Sequence, residues 1–543
     1  MQRAAFEDLA VWKESPDRKP LVIRGARQVG KTWLMRQFGA ECYKSVAYFN
    51  LDEDVNLASV FEANKDPYRI VELLSLVAGE KIYPRDTLII FDEIQECSAA
   101  LNALKYFKEK ANDYHVMAAG NLLGTLLAQP KSYPVGMVNL LDLYPLCFDE
   151  FLEAIDPEIF VYYRSIRKDQ TIEELFHRRL LEAFNYYLII GGMPECVASW
   201  KQYKDPNKVL RIQRELIEIY ENDFSKHNGK INSGRILQVF RSIVPQLAKA
   251  NEKFMYGVVR EGARARDFEE AIEWLVSAGM LNRVYNTAKS EHPLPAFDKS
   301  DQFKLFLFDT GLLKCMAGID NSAILLKSDY QFKGPLTENY VLQQLQGLFD
   351  VAPRYYADKR GEIDFVMQNG TEIIPVEVKA GEDKSAPSFK RYIAEHAPRQ
   401  AIRFSKRGYR RDGSITNIPL YLVRKTKELF VSRKMAGVSV LQSSVWPLPS
   451  LVAHRGAGFL APENTLTAFV TAKEFGCRAV EFDVQLTADG VLVLSHDLEL
   501  GRVIDGIGFV GELSSADLKL LRVKNSASAP ARLGSGLFSA GGS

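Results

Sequence analysis

The stretch Gly25-Ala-Arg-Gln-Val-Gly30-Lys31-Thr32 stands between the apolar run PLVIR and the helix-like segment KTWLMRQF. It fits the pattern GxxxxGK[ST] in the strand–loop–helix context that this pattern requires. Gly25 and Gly30 let backbone N–H groups wrap phosphate oxygens at a helix N-terminus. Lys31 is expected to contact the β- and γ-phosphates, and Thr32 to bind Mg²⁺. The stretch therefore predicts an ATP-binding loop.

A second element, TLIIFDE (87–93), is an apolar strand that ends in two carboxylates. Asp92 is a candidate for positioning Mg²⁺, and Glu93 for polarising the attacking water. A further apolar strand, HVMAAG, is followed by Asn121. Asn121 has two interpretations of equal weight, an ATP-binding residue that senses the γ-phosphate or the N-cap of the helix LLGTLL. Together with the glycine-rich loop, the two carboxylates make nucleotide binding the firmest functional prediction.

Strand-like and helix-like runs alternate through the first 125 residues, which favours a parallel α/β sheet. The predicted strands are Leu21–Arg24, Val46–Asn50, Leu88–Phe91 and Val116–Ala119. From Phe148 to Ala288 apolar residues recur at three- and four-residue steps, so this middle region is predicted to be helical. Strand patterns return at Lys304–Phe308, Ile363–Met367 and Ile373–Val378.

Composition narrows the class of protein. The 543 residues are 47% hydrophobic and 25% charged, and the net charge is +1, so the chain is expected to fold into several domains. The six cysteines form no CxxC pair, which argues against structural zinc and a disulfide-stapled scaffold. No signal peptide or transmembrane segment is predicted. We expect a soluble protein of the reducing cytoplasm.

Residues 6–430 resemble predicted prokaryotic ATPases of the AAA+ superfamily that carry a C-terminal domain of unknown function. The resemblance rests on GARQVGKT, LIIFDEIQ, LYPLCFDEFL, GGMPE, IYENDF, LFLFDTGLL and KGPLTENYV, in this order. It implies ATP and Mg²⁺ as cofactors, DNA or a protein as partner, and oligomers. Many relatives have a basic residue before the LYPL-like segment, where this chain has PVGMVNLLDLYPL with Met137. This departure predicts slow hydrolysis or an arginine finger from elsewhere.

Phe254–Tyr285 is similar to a winged-helix unit, with a short helix pair and a hairpin-like end. A role in DNA reading would need exposed basic residues on its second helix, and Arg260, Arg264 and Arg266 lie close together in the sequence. The alternative, favoured about two to one in this family context, is an internal packing module.

A set of acids and a lysine resembles the PD-(D/E)xK nuclease core. Its members are Glu338 on a helix, Asp364 in GEIDFV, and Glu377 and Lys379 in IIPVEVKAG. The three carboxylates are candidate Mg²⁺ ligands, and Lys379 is a candidate for activating the attacking water. Residues 399–434 add eleven Lys and Arg against two acids, a charge suited to a phosphate backbone. The alternative is a degenerate nuclease fold in which these residues form a structural ion network.

The segment 451–521 resembles the beginning of glycerophosphodiester phosphodiesterases, a TIM-barrel family, through the motifs HRG, PENT, ExD and HD. The resemblance makes Glu481 and Asp483 ligands of a divalent cation, Ca²⁺ or Mg²⁺. His454 and His496 become general acid and base, and Arg455 becomes a phosphate-binding residue. A complete barrel needs about 250 residues, so we expect the first strands alone, either unstable or completed by another chain.

The expected fold is a multidomain α/β protein with a P-loop AAA-type sheet, a helical and winged-helix middle, a PD-(D/E)xK-like domain and a partial TIM barrel. The predicted boundaries are 1–150, 151–300 and 301–435, then a linker 436–450, the partial barrel 451–524 and a disordered tail 525–543. The expected function is ATP binding and hydrolysis, joined to a nuclease-like domain and a partial phosphodiesterase. Two alternatives stay open, a metal-dependent hydrolase of glycerophosphodiesters and a non-catalytic ATP-dependent interaction module.

Overall fold

The computed structural model describes residues 1–53, 57–63, 65–120, 136–168, 170–227, 229–249, 253–326, 331–381, 386–429, 453–456, 460–477 and 479–524. The candidate Asn121, the predicted linker 436–450 and the predicted tail 525–543 lie outside these residues. The chain divides into two compact units, Met1–Lys434 and Met435–Ser543.

The first unit contains eighteen described helices and thirteen strands. Its helices are α1 Ala5–Glu14, α2 Lys31–Cys42, α3 Leu57–Glu62, α4 Pro67–Ala78, α5 Ser98–Lys110, α6 Phe148–Ile155, α7 Pro157–Ser165, α8 Glu174–Ile190, α9 Pro194–Tyr203, α10 Pro206–His227, α11 Gly229–Leu247, α12 Tyr256–Val259, α13 Ala265–Ser277, α14 Thr310–Met316, α15 Asn321–Leu325, α16 Lys333–Leu345, α17 Pro387–His396 and α18 Thr426–Leu429. Its strands are β1 Leu21–Arg24, β2 Ser45–Asn50, β3 Thr87–Asp92, β4 His115–Ala119, β5 Asn139–Asp142, β6 Leu281–Thr287, β7 Asp298–Leu307, β8 Arg354–Asp358, β9 Gly361–Asn369, β10 Glu372–Val378, β11 Ala401–Ser405, β12 Arg410–Asp412 and β13 Ile415–Pro419.

The first sheet is parallel, with strand order β2-β3-β4-β1-β5. Alternate residues of its strands face two different cores, since side chains of a strand point to opposite faces. Leu88 and Ile90 pack into the larger core, whereas Ile89 and Phe91 pack into a second core under α3, α4 and α5. Burial on both faces explains why β3 reads as a continuous apolar run. The parallel sheet of the predicted fold class is confirmed.

The second sheet is mixed, with strand order β12-β13-β11-β10-β9-β8-β6-β7. The hairpin of β6 and β7 follows α12 and α13, the helix pair of the predicted winged-helix unit. A bridge between Asn286 and Tyr355 continues this hairpin into the strands that carry the acid and lysine set. Strand β7 crosses residue 300, so one sheet spans the middle region and the nuclease-like region.

The second unit is small. Its described elements are α19 Leu466–Glu474, β14 Val484–Leu486, β15 Leu492–Leu494 and α20 Ser515–Leu518, with a parallel bridge between Ala453 and Val480. Strands β14 and β15 are antiparallel, unlike the consecutive strands of a TIM barrel. Thr487 to Val491 form a tight turn in which Gly490 has φ 76°, and this connection is too short for a crossover helix.

Candidate functional site

The glycine-rich loop joins β1 to α2 in the first unit. Gly25 has φ 147°, and a Cβ atom there would lie 2.1 Å from the carbonyl oxygen of Leu143. Gly30 has φ 94° and is the N-cap of α2. The backbone conformation disfavours a side chain at both positions. At Gly25 a side chain would also clash with Leu143. The loop directs the N-terminus of a twelve-residue helix at the candidate phosphate site.

Lys31 and Thr32 begin α2 and point in different directions. The Lys31 ammonium donates to the carbonyl oxygens of Gly25 at 3.0 Å and Ala26 at 2.8 Å. Its side chain is buried, and burial lowers the pKa of Lys31 to about 8. Thr32 Oγ1 donates a hydrogen bond of 2.6 Å to Asp92 Oδ2. The loop and the end of β3 are thus joined through one hydroxyl–carboxylate contact.

Asp92 receives three hydrogen bonds and is only 4% exposed. Besides Thr32, the Tyr48 hydroxyl donates to Oδ2 at 2.9 Å, and the backbone N–H of Glu93 donates to Oδ1 at 3.1 Å. Burial and the charge of Asp92 raise the pKa of Tyr48 to about 12. Tyr48 lies on β2, which pairs with β3, and sequence reasoning missed it because nothing local marks it.

Glu93 has φ 50°, a left-handed conformation that turns the chain sharply after β3. Gln95 Nε2 donates to Glu93 Oε2 at 2.6 Å. The structure therefore brings together the predicted residues Gly25, Gly30, Lys31, Thr32, Asp92 and Glu93. Carboxylate and hydroxyl oxygens are the ligands that Mg²⁺ prefers, so Thr32 and Asp92 fit this cation.

The loop is also held from two distant segments of the chain. Arg3 Nη1 donates to the Val29 carbonyl at 2.8 Å, and Arg3 pairs with the buried Glu150. From α10, the Tyr220 hydroxyl donates to the Arg27 carbonyl at 2.9 Å. Tyr220 belongs to the IYENDF motif, so this motif has a physical role at the loop. Sequence reasoning recorded the motif without a function.

Three further motifs meet in one buried polar network, to which helices α8 and α16 also contribute side chains. The backbone N–H of Gly192, in GGMPE, donates to Asp309 Oδ2 at 2.6 Å. Gln343 Nε2 on α16 donates to the same oxygen at 3.3 Å and to the Tyr187 hydroxyl at 3.0 Å. Tyr187 donates to the carbonyl of Leu146, in the LYPL segment, at 2.5 Å. This network connects the region after the parallel sheet to the helix that carries Glu338.

The acid and lysine set of the predicted nuclease-like region forms a cluster of ion pairs. Lys379 Nζ lies 2.6 Å from Glu377 Oε1, and the backbone N–H of Val378 donates to Asp364 Oδ2 at 2.6 Å. Lys304, on β7, is 1% exposed and lies 3.8 Å from Glu338 Oε2. Sequence reasoning missed Lys304, which also contacts Glu362.

Electrostatics in this cluster favour protonation of its acids. Burial and the charge of Glu377 raise the pKa of Asp364 well above its ordinary range, and burial raises the pKa of Glu377. Within the described part of the chain, no group of three or more His, Cys, Asp and Glu side chains is arranged to hold a metal ion. We therefore derive no metal-dependent step for this cluster.

The basic stretch 399–434 does not present all of its charges to solvent. Lys425 is buried, and its ammonium donates to the carbonyl oxygens of Tyr163, Arg164 and Ile166. Arg403 is buried, and Arg424 donates to the Gln346 carbonyl at 2.8 Å. These side chains make contacts inside the protein and are therefore not available to bind the phosphate backbone of a nucleic acid. In contrast, Arg260, Arg264 and Arg266 are exposed.

In the second unit the predicted phosphodiester residues meet around Arg455. The backbone N–H of Arg455 donates to Glu481 Oε2 at 3.1 Å, and its Nε lies 3.3 Å from Asp483 Oδ2. His454 Nε2 lies 3.9 Å from Glu481 Oε2. Asn464 Nδ2 donates to Asp483 Oδ2 at 3.0 Å. Four predicted residues and Asn464 of the PENT motif thus share one site.

His496 is placed next to an acid. Its Nδ1 lies 2.7 Å from Asp497 Oδ1, and Arg502 contacts both Asp497 and Glu463. Glu463 in turn lies 3.2 Å from Arg455 Nη1. Sequence reasoning missed Arg502, which links the HD motif to the site around Arg455. The carboxylates of Glu481 and Asp483 are oxygen donors, yet the guanidinium of Arg455 already neutralises Asp483, so the described residues do not complete a metal site.

Sequence profiles of known families match four parts of the chain. They are an AAA domain at residues 17–152, two domains of unknown function, DUF8612 at 181–323 and DUF4143 at 333–423, and the glycerophosphoryl diester phosphodiesterase family at 454–535. These matches confirm the two resemblances that the motifs indicated. Among the described residues no helix is both long and apolar enough to span a bilayer.

Similar proteins fall into two groups. A glycerophosphodiester phosphodiesterase of Caldanaerobacter subterraneus is 45% identical over 71 residues, which are 13% of this chain and 29% of that protein. One of Bacillus subtilis is 41% identical over 70 residues, 13% of this chain and 24% of that protein. The chain thus spans less than a third of the curated relatives it matches.

Among solved structures, a Walker-type ATPase of Pyrococcus abyssi is 14% identical and has a TM-score of 0.39, covering 58% of this chain and 95% of that one. A glycerophosphodiester phosphodiesterase of Agrobacterium tumefaciens is 43% identical with a TM-score of 0.13, covering 13% of this chain and 31% of that one. By its sequence profiles, the chain therefore joins an AAA-type ATPase domain to a partial glycerophosphoryl diester phosphodiesterase domain.

Proposed function

We propose that the chain binds and hydrolyses ATP at the loop between β1 and α2. The observation that carries this proposal is the 2.6 Å hydrogen bond from Thr32 Oγ1 to Asp92 Oδ2, which joins the phosphate-binding loop to the acidic end of β3. Bound Mg²⁺ supplies charge stabilisation to the phosphates, and Thr32 and Asp92 are the residues that would hold it.

The residues of the loop have separate tasks in this proposal. Gly25 and Gly30 let the backbone N–H groups face the phosphate oxygens. The Lys31 ammonium contacts the loop carbonyls, and Lys31 is the residue that this motif assigns to the β- and γ-phosphates. Glu93, held by Gln95, orients the water that attacks the γ-phosphate and accepts its proton.

Phosphate release from ATP with Mg²⁺ tests the proposal, measured on the full chain. Lys31→Ala is expected to abolish ATP binding, and Glu93→Gln to keep binding while lowering turnover by at least about a hundredfold. Lys44→Ala is the matched control, since Lys44 is an exposed lysine paired with Asp86. Wild-type ATP binding by Lys31→Ala would contradict the proposal.

A second candidate function is hydrolysis of glycerophosphodiesters by the site around Arg455. It is favoured by the convergence of His454, Arg455, Glu481 and Asp483 within hydrogen-bonding or ion-pairing distance. In this candidate Arg455 binds phosphate oxygens and His454 moves a proton. Release of glycerol 3-phosphate from glycerophosphocholine, with His454→Ala as comparison, tests it. Activity that is unchanged in the variant would rule out this site.

A further inference from the structure

The nucleotide loop contains a second basic side chain, Arg27, besides Lys31. The two differ in placement. Lys31 is buried against the loop carbonyls, whereas the Arg27 side chain is 42% exposed and its Nη1 lies 2.5 Å from Asp223 Oδ2 on α10. Arg27 is therefore a partly exposed charged group of the loop that is paired with the carboxylate of Asp223.

Arg27 lies within the loop itself, directly after Ala26, whose carbonyl oxygen accepts from Lys31, so its charge acts on the residues of the candidate ATP site. The hydrogen bond to Asp223 raises the pKa of Arg27, and the charges of Asp223 and Glu93 add to this effect. Burial is the main cause of the lowered pKa of Lys31, and the charge of Arg27 also contributes to it. The guanidinium thus interacts with both Glu93 and Lys31, the two side chains assigned to the reacting phosphate.

Helix α10 positions both the backbone and the side chain of Arg27. The Tyr220 hydroxyl donates to the Arg27 carbonyl at 2.9 Å, and Asp223 lies one turn later on the same helix face. Tyr220 is 2% exposed and packs edge-on against Phe308, with ring centroids 5.8 Å apart. The anchor of Arg27 is thus part of the core and is well fixed.

We propose that Arg27 is the arginine that stabilises phosphoryl transfer, acting within the same chain, and that Asp223 and Tyr220 are its positioning residues. This inference rests on the proposed ATP hydrolysis. It supplies the cation that the Met137 segment lacks, because an arginine at the γ-phosphate is a recurring part of P-loop catalysis.

In the reaction, water forms a bond to the γ-phosphorus, and the bond from that phosphorus to the bridging oxygen breaks. The electron pair leaves with ADP, and the proton of the water passes to Glu93. Arg27 exchanges no atom. It moves from Asp223 toward the phosphoryl oxygens and stabilises the charge that develops there.

The experiment compares Arg27→Gln, Arg27→Lys and Asp223→Asn in the full chain. We expect Arg27→Gln to lower kcat by about a thousandfold while the Kd of ATP changes less than about fivefold. It should also lose tight binding of ADP with aluminium fluoride, a mimic of the transferring phosphoryl group. Arg27→Lys restores part of kcat, and Asp223→Asn keeps kcat within about tenfold of the wild type.

Arg24→Lys is the matched control, because Arg24 stands just before the loop and pairs with Asp142 through two hydrogen bonds of 2.8 and 2.7 Å. It should leave kcat unchanged. If Arg27 is only a tether to α10, Arg27→Gln and Asp223→Asn will lose activity equally, and the inference is overturned. It is also overturned if Arg27→Gln retains wild-type kcat. Absence of turnover in the wild type would instead refute the proposed ATP hydrolysis itself, and this inference with it.

Discussion

Asp309 and Gly192 are joined by a 2.6 Å hydrogen bond from the glycine N–H to the carboxylate, across 117 residues of chain. Gly192 has no room for a side chain, since a Cβ atom there would lie 2.1 Å from the Leu146 carbonyl. Asp309 also caps α14 by accepting from the Leu312 N–H at 3.0 Å. The Asp309 carboxylate therefore caps the start of α14 and also holds the turn at Gly192, which is distant in the sequence.

Because Asp309 has this double role, we expect Asp309→Ala to destabilise the fold more than the loss of an ordinary helix cap does. Two buried N–H groups lose their acceptor, so we expect a loss of about 2–4 kcal/mol in the free energy of unfolding. Asp320→Ala is the control, because Asp320 caps α15 from an exposed position and its loss costs about 1 kcal/mol. Urea unfolding followed by tryptophan fluorescence measures both. Equal shifts would show that the link to Gly192 contributes nothing.

Asp92→Asn is expected to weaken the response of ATP turnover to Mg²⁺. The substitution removes the carboxylate charge while an amide oxygen can still accept from Thr32 and Tyr48. Turnover should fall by at least about a hundredfold, and half-maximal rate should need more Mg²⁺. Phosphate release over a range of Mg²⁺ concentrations checks this, with the surface variant Asp86→Asn as control. An unchanged Mg²⁺ dependence would exclude Asp92 as the metal-positioning residue.

His115 makes the first unit sensitive to acid. It is buried on β4 beside the Tyr43 hydroxyl, at 2.7 Å, and burial lowers the pKa of His115 to about 4. The unfolded chain has the ordinary pKa of 6.5 and binds the proton first, so stability is complete above that pH and is lost as the pH falls from 6.5 to 4. We expect a loss on the order of 2 kcal/mol.

The measurement is the free energy of unfolding at pH 7.5, 6 and 4.5. His115→Gln should be less stable at neutral pH yet show a shallower dependence on pH in this window. His292→Gln, at an exposed position, should show the wild-type dependence. Parallel pH curves for the wild type and His115→Gln would contradict the prediction.

In the second unit, Gly456→Ala should be more disruptive than Gly476→Ala. Both glycines have positive φ angles, 97° and 81°, so both variants are strained by about 1–2 kcal/mol. Only at Gly456 would the new Cβ atom also approach Ala468 Cβ, at 2.6 Å, whereas nothing lies within 4 Å at Gly476. Proteolysis within residues 453–524 of the full chain measures the difference. Equal cleavage rates would mean that the HRG turn does not pack on α19.

Local patterns allowed much of the candidate ATP site to be predicted from the sequence. The loop and the end of β3 are marked by glycines, a lysine and paired acids within short windows, and the parallel sheet follows from apolar runs between helices. The strand predictions at Leu21–Arg24 and Val116–Ala119 agree with β1 and with most of β4. Each of these features is determined by residues that are close together in the sequence, so each can be predicted from a short stretch of it.

Partners contributed by distant segments could not be predicted. Arg3 pairs with Glu150 across 147 residues, and Lys304 on β7 lies 3.8 Å from Glu338 on helix α16. A buried lysine in a hydrophobic strand has no local mark that separates it from an exposed one. The burial of Arg403 and Lys425 could not be predicted either, because a count of charged residues does not show which side chains face the core.

Strand β7 has a consequence for how such chains can be recombined. It begins at Asp298 beside β6 and ends at Leu307, and its Lys304 contacts acids of the nuclease-like region. An exchange of gene segments at residue 300 would join halves of one strand from different parents, and most of β7 would then come from a different parent than β6, its partner in the hairpin. Crossovers that preserve folding should therefore avoid 281–307, and the regions before and after this hairpin should be inherited as one piece.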